Sequence, residues 1–328
     1  MNRMSFLFVV FFSAALFAND NSVSASDLSN VLTPILNNDE SGIIRIGSYQ
    51  GRISENNFDA NMETVMKVIN EQRDKGLHFL CFPETFLTGY SEKAIKESAV
   101  YANDQRILDF ISSTKGNETV ILVGFAEKKA DGTYNSQMVV QNGRLLGIAH
   151  KTMLTQGYDD KYFTTDLELP VFEAHGVRFG VCICHTTSFV EPALYLRLKG
   201  CRLLFTPHYN SLAPYRSEPG KHTYSSAEHR SMVLNNHIGL ATLLKMVVVR
   251  SNVIIVSETQ LGWGDSNIWD MDGNLVAEGT PFVDMVVYAA FNRDIFNKGH
   301  ELINQHQVPF KLYEKIIEAA KEFLKEKK

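Results

Sequence analysis

The stretch "VRFGVCICHTTSFVEPALYLRLKGCRLLFTP", residues 177–207, holds the organisation of the whole chain in small. Val177 to Cys184 is an almost unbroken apolar run and reads as a buried strand. A polar turn, His185 to Ser188, follows, then a helical segment over 191–200 that Gly200 stops, then a second apolar strand over 201–207. The first strand ends on Cys184 at an abrupt change from apolar to polar. A side chain there is held rigidly and still reaches a cleft.

The same rhythm extends outward in both directions. Upstream, "IIRIGSY" (43–49) reads as a strand, and Phe58, Met62, Val65, Met66 and Ile69 recur at helical spacing. "LHFLCF" (77–82) is a strand, 104–114 a helix, "TVILVGFAE" (119–127) a strand, and Asn142-Gly143 within "QNGR" is the turn of a hairpin. Downstream come a helical stretch over 224–248, a strand "NVIIVSE" (252–258), a hairpin at Asp272-Gly273 and a strand "DMVVYAAF" (284–291). An amphipathic helix with Leu312, Ile316, Ala320 and Phe323 on one side closes the chain. Strands interleaved with helices, plus local hairpins, give an α/β fold with mixed sheet covered by helices, in one domain over about 40–328. The Ser-, Pro-, Gly-, Tyr- and His-rich segment 208–235 is the longest irregular one and is expected to shape a substrate site.

With 328 residues, 45% of them hydrophobic, the chain can bury one large core. A net charge of -5 and the lack of a basic stripe, apart from the tail "KEFLKEKK", argue against nucleic acid as a partner. Arg3 precedes an apolar run from Met4 to Ala18, and "NDNSVSASD" after it offers small-residue processing points at Ala18 or Ala25. The run is short beside the roughly 20 residues of a membrane span. Residues 1–25 therefore read as a secretory signal, and the processed protein is expected to be secreted or periplasmic without a stable membrane span. Export raises the question of disulfides among Cys81, Cys182, Cys184 and Cys201. All four lie in or at the ends of strand-like runs, and Cys182 and Cys184 share a strand face, so they are poorly placed to bond each other. A bridge such as Cys81 to Cys201 stays open. No CxxC or HxxxH spacing suggests a metal, and no cofactor is implied.

Three strand ends carry chemistry. Cys184 is either a small buried apolar residue or a nucleophile, and as a nucleophile it needs help, because a free thiol is only slightly ionised at neutral pH. Glu84 in "FPETF" follows an apolar strand and a proline; it is either a turn carboxylate or, if partly buried, a general base. Lys151 in "GIAHKTML" ends another strand; it is either a solvated strand end or a cation that favours a thiolate and an oxyanion.

Read together, "FPETFLTGY" (82–90), "GFAEK" (124–128), "GTYNSQMVVQNGRLLGIAHKTML" (132–154) and "GVCICH" (180–185) with the following "KGCRLLFTP" resemble the nitrilase superfamily, the carbon-nitrogen hydrolases, over residues 43 to 291. The resemblance implies an αββα sandwich of two mixed β-sheets flanked by helices, subunits paired as a homodimer or larger homo-oligomer, and Glu84, Lys151 and Cys184 as the catalytic triad. It implies acyl transfer to sulfur in a small amide, N-acyl or carbamoyl compound, with the Lys151 ammonium and the backbone N–H of His185 facing the oxyanion. Relatives carry a further glutamate after the lysine, for which Asp160 in "YDDKYF" is the nearest match here, and His208 is expected to line the pocket. The chain departs from the pattern after the cysteine, with His185, Thr186 and Ser188, and in the run "VVVRSN" (247–252). A nitrilase, an N-acyltransferase with the same triad and a non-catalytic scaffold are the alternatives.

Overall fold

The computed structural model describes residues 42–210, 226–256, 261–297 and 310–326. The signal expected over 1–25 and the stretch 211–225 of the expected pocket-shaping segment lie outside these residues. The strands are β1 (Ile43–Arg52), β2 (Phe79–Cys81), β3 (Val100–Tyr101), β4 (Val120–Lys129), β5 (Gly132–Gln141), β6 (Arg144–His150) and β7 (Phe172–Ala174), then β8 (Val177–Val181), β9 (Leu203–His208), β10 (Val247–Val256), β11 (Leu261–Trp263), β12 (Asn267–Trp269), β13 (Leu275–Glu278) and β14 (Met285–Asn292). The helices are α1 (Phe58–Gln72), α2 (Glu92–Ser98), α3 (Gln105–Ser113), α4 (Val190–Leu198), α5 (Ser226–Leu244), α6 (Asp294–Asn297) and α7 (Phe310–Glu326).

The strands run in the order β6-β5-β4-β2-β1-β10-β9-β8-β7, mixed in direction, with β14 antiparallel on β1 and β12 antiparallel on β10. Among the described residues, the strand pairing that joins the two halves of this path is where the end of β1 meets β10, at Gly51 beside Val253 and Arg52 beside Ile254. Elsewhere they lie face to face. Ile44, Ile46, Phe79, Val120 and Leu122 from the first half and Val177, Phe179, Leu203, Phe205, Val247 and Val249 from the second form one buried cluster. The Phe79 ring meets those of Phe179 and Phe205 at 5.2 and 5.7 Å across the gap. The outer face of the first half packs Leu80, Ile121, Val123 and Val140 against Val65 and Ile69 of α1 and Ile107 and Phe110 of α3. The outer face of the second half packs Leu204 and Val248 against Leu196 of α4 and Leu240, Ala241 and Leu244 of α5. This is the expected αββα arrangement, and alternation along each strand produces it by sending successive residues to the inner and outer layers.

Two local signals hold at the backbone. Asn142 and Gly143 both take positive φ, +48° and +73°, the pair that a two-residue type I′ hairpin requires, and Gln141 pairs with Arg144 across it. Gly273, φ +80°, turns β12 into β13. Other boundaries differ from expectation. Paired strand β8 stops at Val181 rather than Cys184, and α5 already covers 226–235, so the irregular segment is shorter than 208–235. All four cysteines are free and buried, so the Cys81 to Cys201 pairing is not formed. Among the described residues no helix is long and apolar enough to cross a membrane, and no cluster of His, Cys, Asp and Glu could hold a metal ion.

Candidate active site

Glu84 sits on an elbow built by strand β4. Phe82 donates its N–H to Leu122 O at 2.8 Å, and Leu87 donates to Gly124 O at 2.9 Å, so the segment between them is laid across β4. Gly124 makes room for it: a Cβ at that position would stand 2.4 Å from Thr85 N and 2.6 Å from Pro83 O. Thr85 then turns the chain with φ +45°, a strained value for a β-branched residue. The fully buried Glu84 carboxylate that results accepts from three donors. Its Oε1 accepts from Lys151 Nζ at 2.8 Å and from Asn135 Nδ2 at 2.7 Å, and its Oε2 accepts from the backbone N–H of Tyr209 at 2.8 Å.

Lys151 follows β6 and is held by its own N–H, which donates to Asn135 O at 2.8 Å. Its ammonium, fully buried, also reaches Asp159 Oδ2 at 2.7 Å and lies 5.5 Å from the centre of the Tyr90 ring. Asp159, in turn, accepts at Oδ2 from Thr155 N at 2.8 Å and at Oδ1 from the Tyr90 hydroxyl. Burial alone would pull the Lys151 ammonium down, but Glu84, Tyr90, Cys184 and Asp159 push it well above the usual lysine range. Burial likewise disfavours the Asp159 carboxylate, and the pairing with Lys151 outweighs it and holds Asp159 below its ordinary value.

The expected partner of the lysine, Asp160, is exposed, while its neighbour Asp159 is buried on the ammonium. The correction has a simple cause. The backbone makes a tight turn here, with Asp159 N and Tyr158 N both donating to Thr155 O, and adjacent side chains on such a turn diverge. Two consecutive aspartates signalled a carboxylate at this place without telling which one faces inward.

Cys184 opens a short 3₁₀ turn, Cys184–Ser188, with φ +48°, while Cys182 just before it donates to Phe205 O at 2.9 Å. The turn is tied to the lysine segment, since Thr186 Oγ1 accepts from Met153 N at 3.3 Å. The Cys184 thiol lies within the electrostatic reach of Glu84, Lys151 and Asp159. Burial first and then the Glu84 charge push it up to about 12 against the opposing pull of Lys151, a shift that favours the neutral thiol. The three side chains named from strand ends are therefore brought together.

The other two named residues fare differently. His185 is half-buried with its ring edge-on to Phe189 at 5.4 Å, and burial lowers its basicity. His208 is 2% exposed, with Nδ1 2.8 Å from Thr206 O and its ring 4.9 Å from that of His237, so it packs behind the site rather than lining an open wall. Asn135, Tyr90 and the Tyr209 N–H escaped the sequence reading, because each acts through tertiary contacts that no local pattern announces.

The family model for carbon-nitrogen hydrolases matches residues 45–296, which spans the elbow, the lysine and the cysteine turn. The chain belongs to the carbon-nitrogen hydrolases. It is 28% identical over 230 residues to an N-carbamoylputrescine amidase of Oryza sativa subsp. japonica, covering 67% of this chain and 74% of that one. It is 32% identical over 165 residues to a nitrilase of Pyrococcus abyssi, covering 48% and 61%. Among solved structures, a carbon-nitrogen hydrolase from Helicobacter pylori aligns with a TM-score of 0.71 at 15% identity, over 84% of this chain and 98% of that one, a likeness of fold.

Proposed function

We propose that this carbon-nitrogen hydrolase is an exported thiol amidase that cleaves a non-peptide C–N bond of a small amide, N-acyl or carbamoyl compound through a Cys184 thioester, with Glu84 and Lys151 completing the triad. The supporting observation is the buried ion pair of the Glu84 carboxylate and the Lys151 ammonium, at 2.8 Å, whose charges both act on the Cys184 thiol. Export rests on the leader read over 1–25, and the family resemblance suggests a homodimer.

A neutral thiol beside a carboxylate sets the order of steps. As sulfur attacks the carbonyl carbon, its proton passes to Glu84, the C–S bond forms and the carbonyl π pair moves onto oxygen. Lys151 has three N–H donors, of which Glu84 and Asp159 occupy two, so one is left for the oxyanion. The His185 N–H, next to the positive-φ Cys184, is the second donor. Collapse of the intermediate breaks the C–N bond while Glu84 returns its proton to the leaving nitrogen. Water then attacks the thioester, gives a proton to Glu84 and releases the acid, and the proton goes back to sulfur. The rice relative's name, N-carbamoylputrescine amidase, makes a carbamoyl amine the first substrate to try.

Ammonia release from N-carbamoylputrescine, short aliphatic amides and nitriles tests this reading. Cys184→Ala and Glu84→Gln are each expected to lower turnover by about 10⁴-fold or more without loss of fold by circular dichroism. Turnover by either variant near that of the parent removes that residue from the mechanism. Release from nitriles alone moves the assignment to the nitrilase alternative.

A further inference from the structure

We propose that Asn135 is a positioning residue that couples the base to the cation, an inference that rests on the thiol-hydrolase reading above. Asn135 lies on β5 and is 1% exposed. Its two ends serve different partners: the side-chain Nδ2 donates to Glu84 Oε1 at 2.7 Å, and the backbone oxygen accepts from Lys151 N at 2.8 Å. One residue thereby fixes the spacing of two groups that lie 67 positions apart in sequence.

The orientation of the amide is dictated chemically. An ionised carboxylate only accepts, so the amide must turn its nitrogen toward Glu84. Asn135 Oδ1 is then buried without a hydrogen-bond partner. An apolar residue of similar volume would fill the space without an orphaned oxygen, so packing does not account for an asparagine here, whereas orienting Glu84 does.

The opposite face of the same strands is pinned as well. Ser136 pairs with His150, the residue before Lys151, and the Ser136 hydroxyl donates to Glu127 Oε2 at 2.8 Å. His150 meets Glu127 Oε2 through Nε2 at 2.9 Å and Asp166 Oδ2 through Nδ1 at 2.7 Å. The register of β6 on β5 is thus set from outside by a charged cluster, and Asn135 transmits that register to the catalytic carboxylate.

The test uses the full chain and needs no knowledge of the natural substrate. The alkylation rate of Cys184 by iodoacetamide is followed by mass spectrometry across pH in the parent, Asn135→Ala and Asn135→Asp, alongside Glu84→Gln. Loss of a donor that favours the charged carboxylate should slow alkylation near neutral pH by about tenfold and move the acid limb of the rate profile to higher pH. The isosteric Asn135→Asp, which sets a second carboxylate against Glu84, should slow it further. With N-carbamoylputrescine as substrate, the same variants should lose kcat with KM changed less than about twofold. A folded Asn135→Ala whose alkylation profile overlays that of the parent overturns the proposal, and so does the failure of both variants to fold, which would make the role structural. If instead Glu84→Gln alkylates like the parent, the thiol-hydrolase reading itself falls.

Discussion

The buried groups around Lys151 and those around Arg250 treat their charges in opposite ways. The half built on β2, β5 and β6 contributes Glu84, Lys151 and Asp159, all fully buried, and there burial leaves the charges standing: the lysine is pushed up and Asp159 held down. The half built on β8, β9 and β10 contributes Cys184, His208, His237 and Arg250, and these four shift toward the neutral form. The thiol rises to about 12, His237 falls to about 3, His208 falls well below the usual imidazole range and Arg250 drops to about 10. The reason is what each group faces. A cation between two carboxylates recovers in attraction what it loses in hydration, whereas a thiol beside a carboxylate, or imidazoles beside a guanidinium, add repulsion to desolvation. The group around Lys151 is thus a fixed field, and the second half presents the Cys184 thiol to it.

The sharpest way to break this contrast is to remove the cation. Lys151→Met leaves Glu84 and Asp159 as buried carboxylates without their common partner. It is expected to abolish turnover and destabilise the fold by about 3 to 5 kcal/mol, read as a lower urea midpoint. The destabilisation should shrink in acid, where the orphaned carboxylates protonate. An unchanged urea midpoint would show that the ammonium does not hold the first half together.

Asp159 and Asp160 offer a finer cut. Asp159→Asn keeps the shape but removes one of the two charges on Lys151. Expected is a loss of kcat/KM of about 10- to 100-fold, the scale of a hydrogen bond to a charged group. Asp160→Asn, on the exposed neighbour, should stay within about twofold of the parent, as surface substitutions do. Equal effects at the two positions would contradict the geometry of the turn.

This pair also marks how far the sequence could be read. Layering, hairpins and the candidate residues Glu84, Lys151 and Cys184 were legible, because strand alternation, Asn142-Gly143 and abrupt apolar-to-polar changes at strand ends are local signals. The side chain that faces inward within "YDD" depends on a tight turn whose direction only tertiary packing settles. Asn135 was hidden for a related reason, since its donor role exists only once β5 lies under the elbow at Glu84. The balance on the thiol was hidden too, since strand position reveals Lys151 as a helper but conceals full burial, and burial is the first cause of the upward shift.

The last cut probes the groups around Arg250. His237 is fully buried on α5; its Nδ1 donates to Val233 O at 2.7 Å, and its Nε2 has no hydrogen-bond partner. The ring stacks on Trp269 at 5.2 Å and faces His208 at 4.9 Å. Burial and then the Arg250 charge lower it from 6.5 to about 3, with Asp265 opposing. Below pH 6.5 the unfolded chain therefore binds a proton here that the folded one refuses. Stability from this group is complete above that pH and falls as pH drops toward 3, by about 1.4 kcal/mol per unit. His237→Phe keeps the stacked ring and removes the titration. Urea unfolding at about pH 6, 5 and 4 should show a shallower acid loss in the variant by roughly that slope, on top of a pH-independent cost of about 1 kcal/mol for the lost bond to Val233. Parallel curves for parent and variant would mean that His237 accepts its proton in the folded state, beside the Arg250 guanidinium.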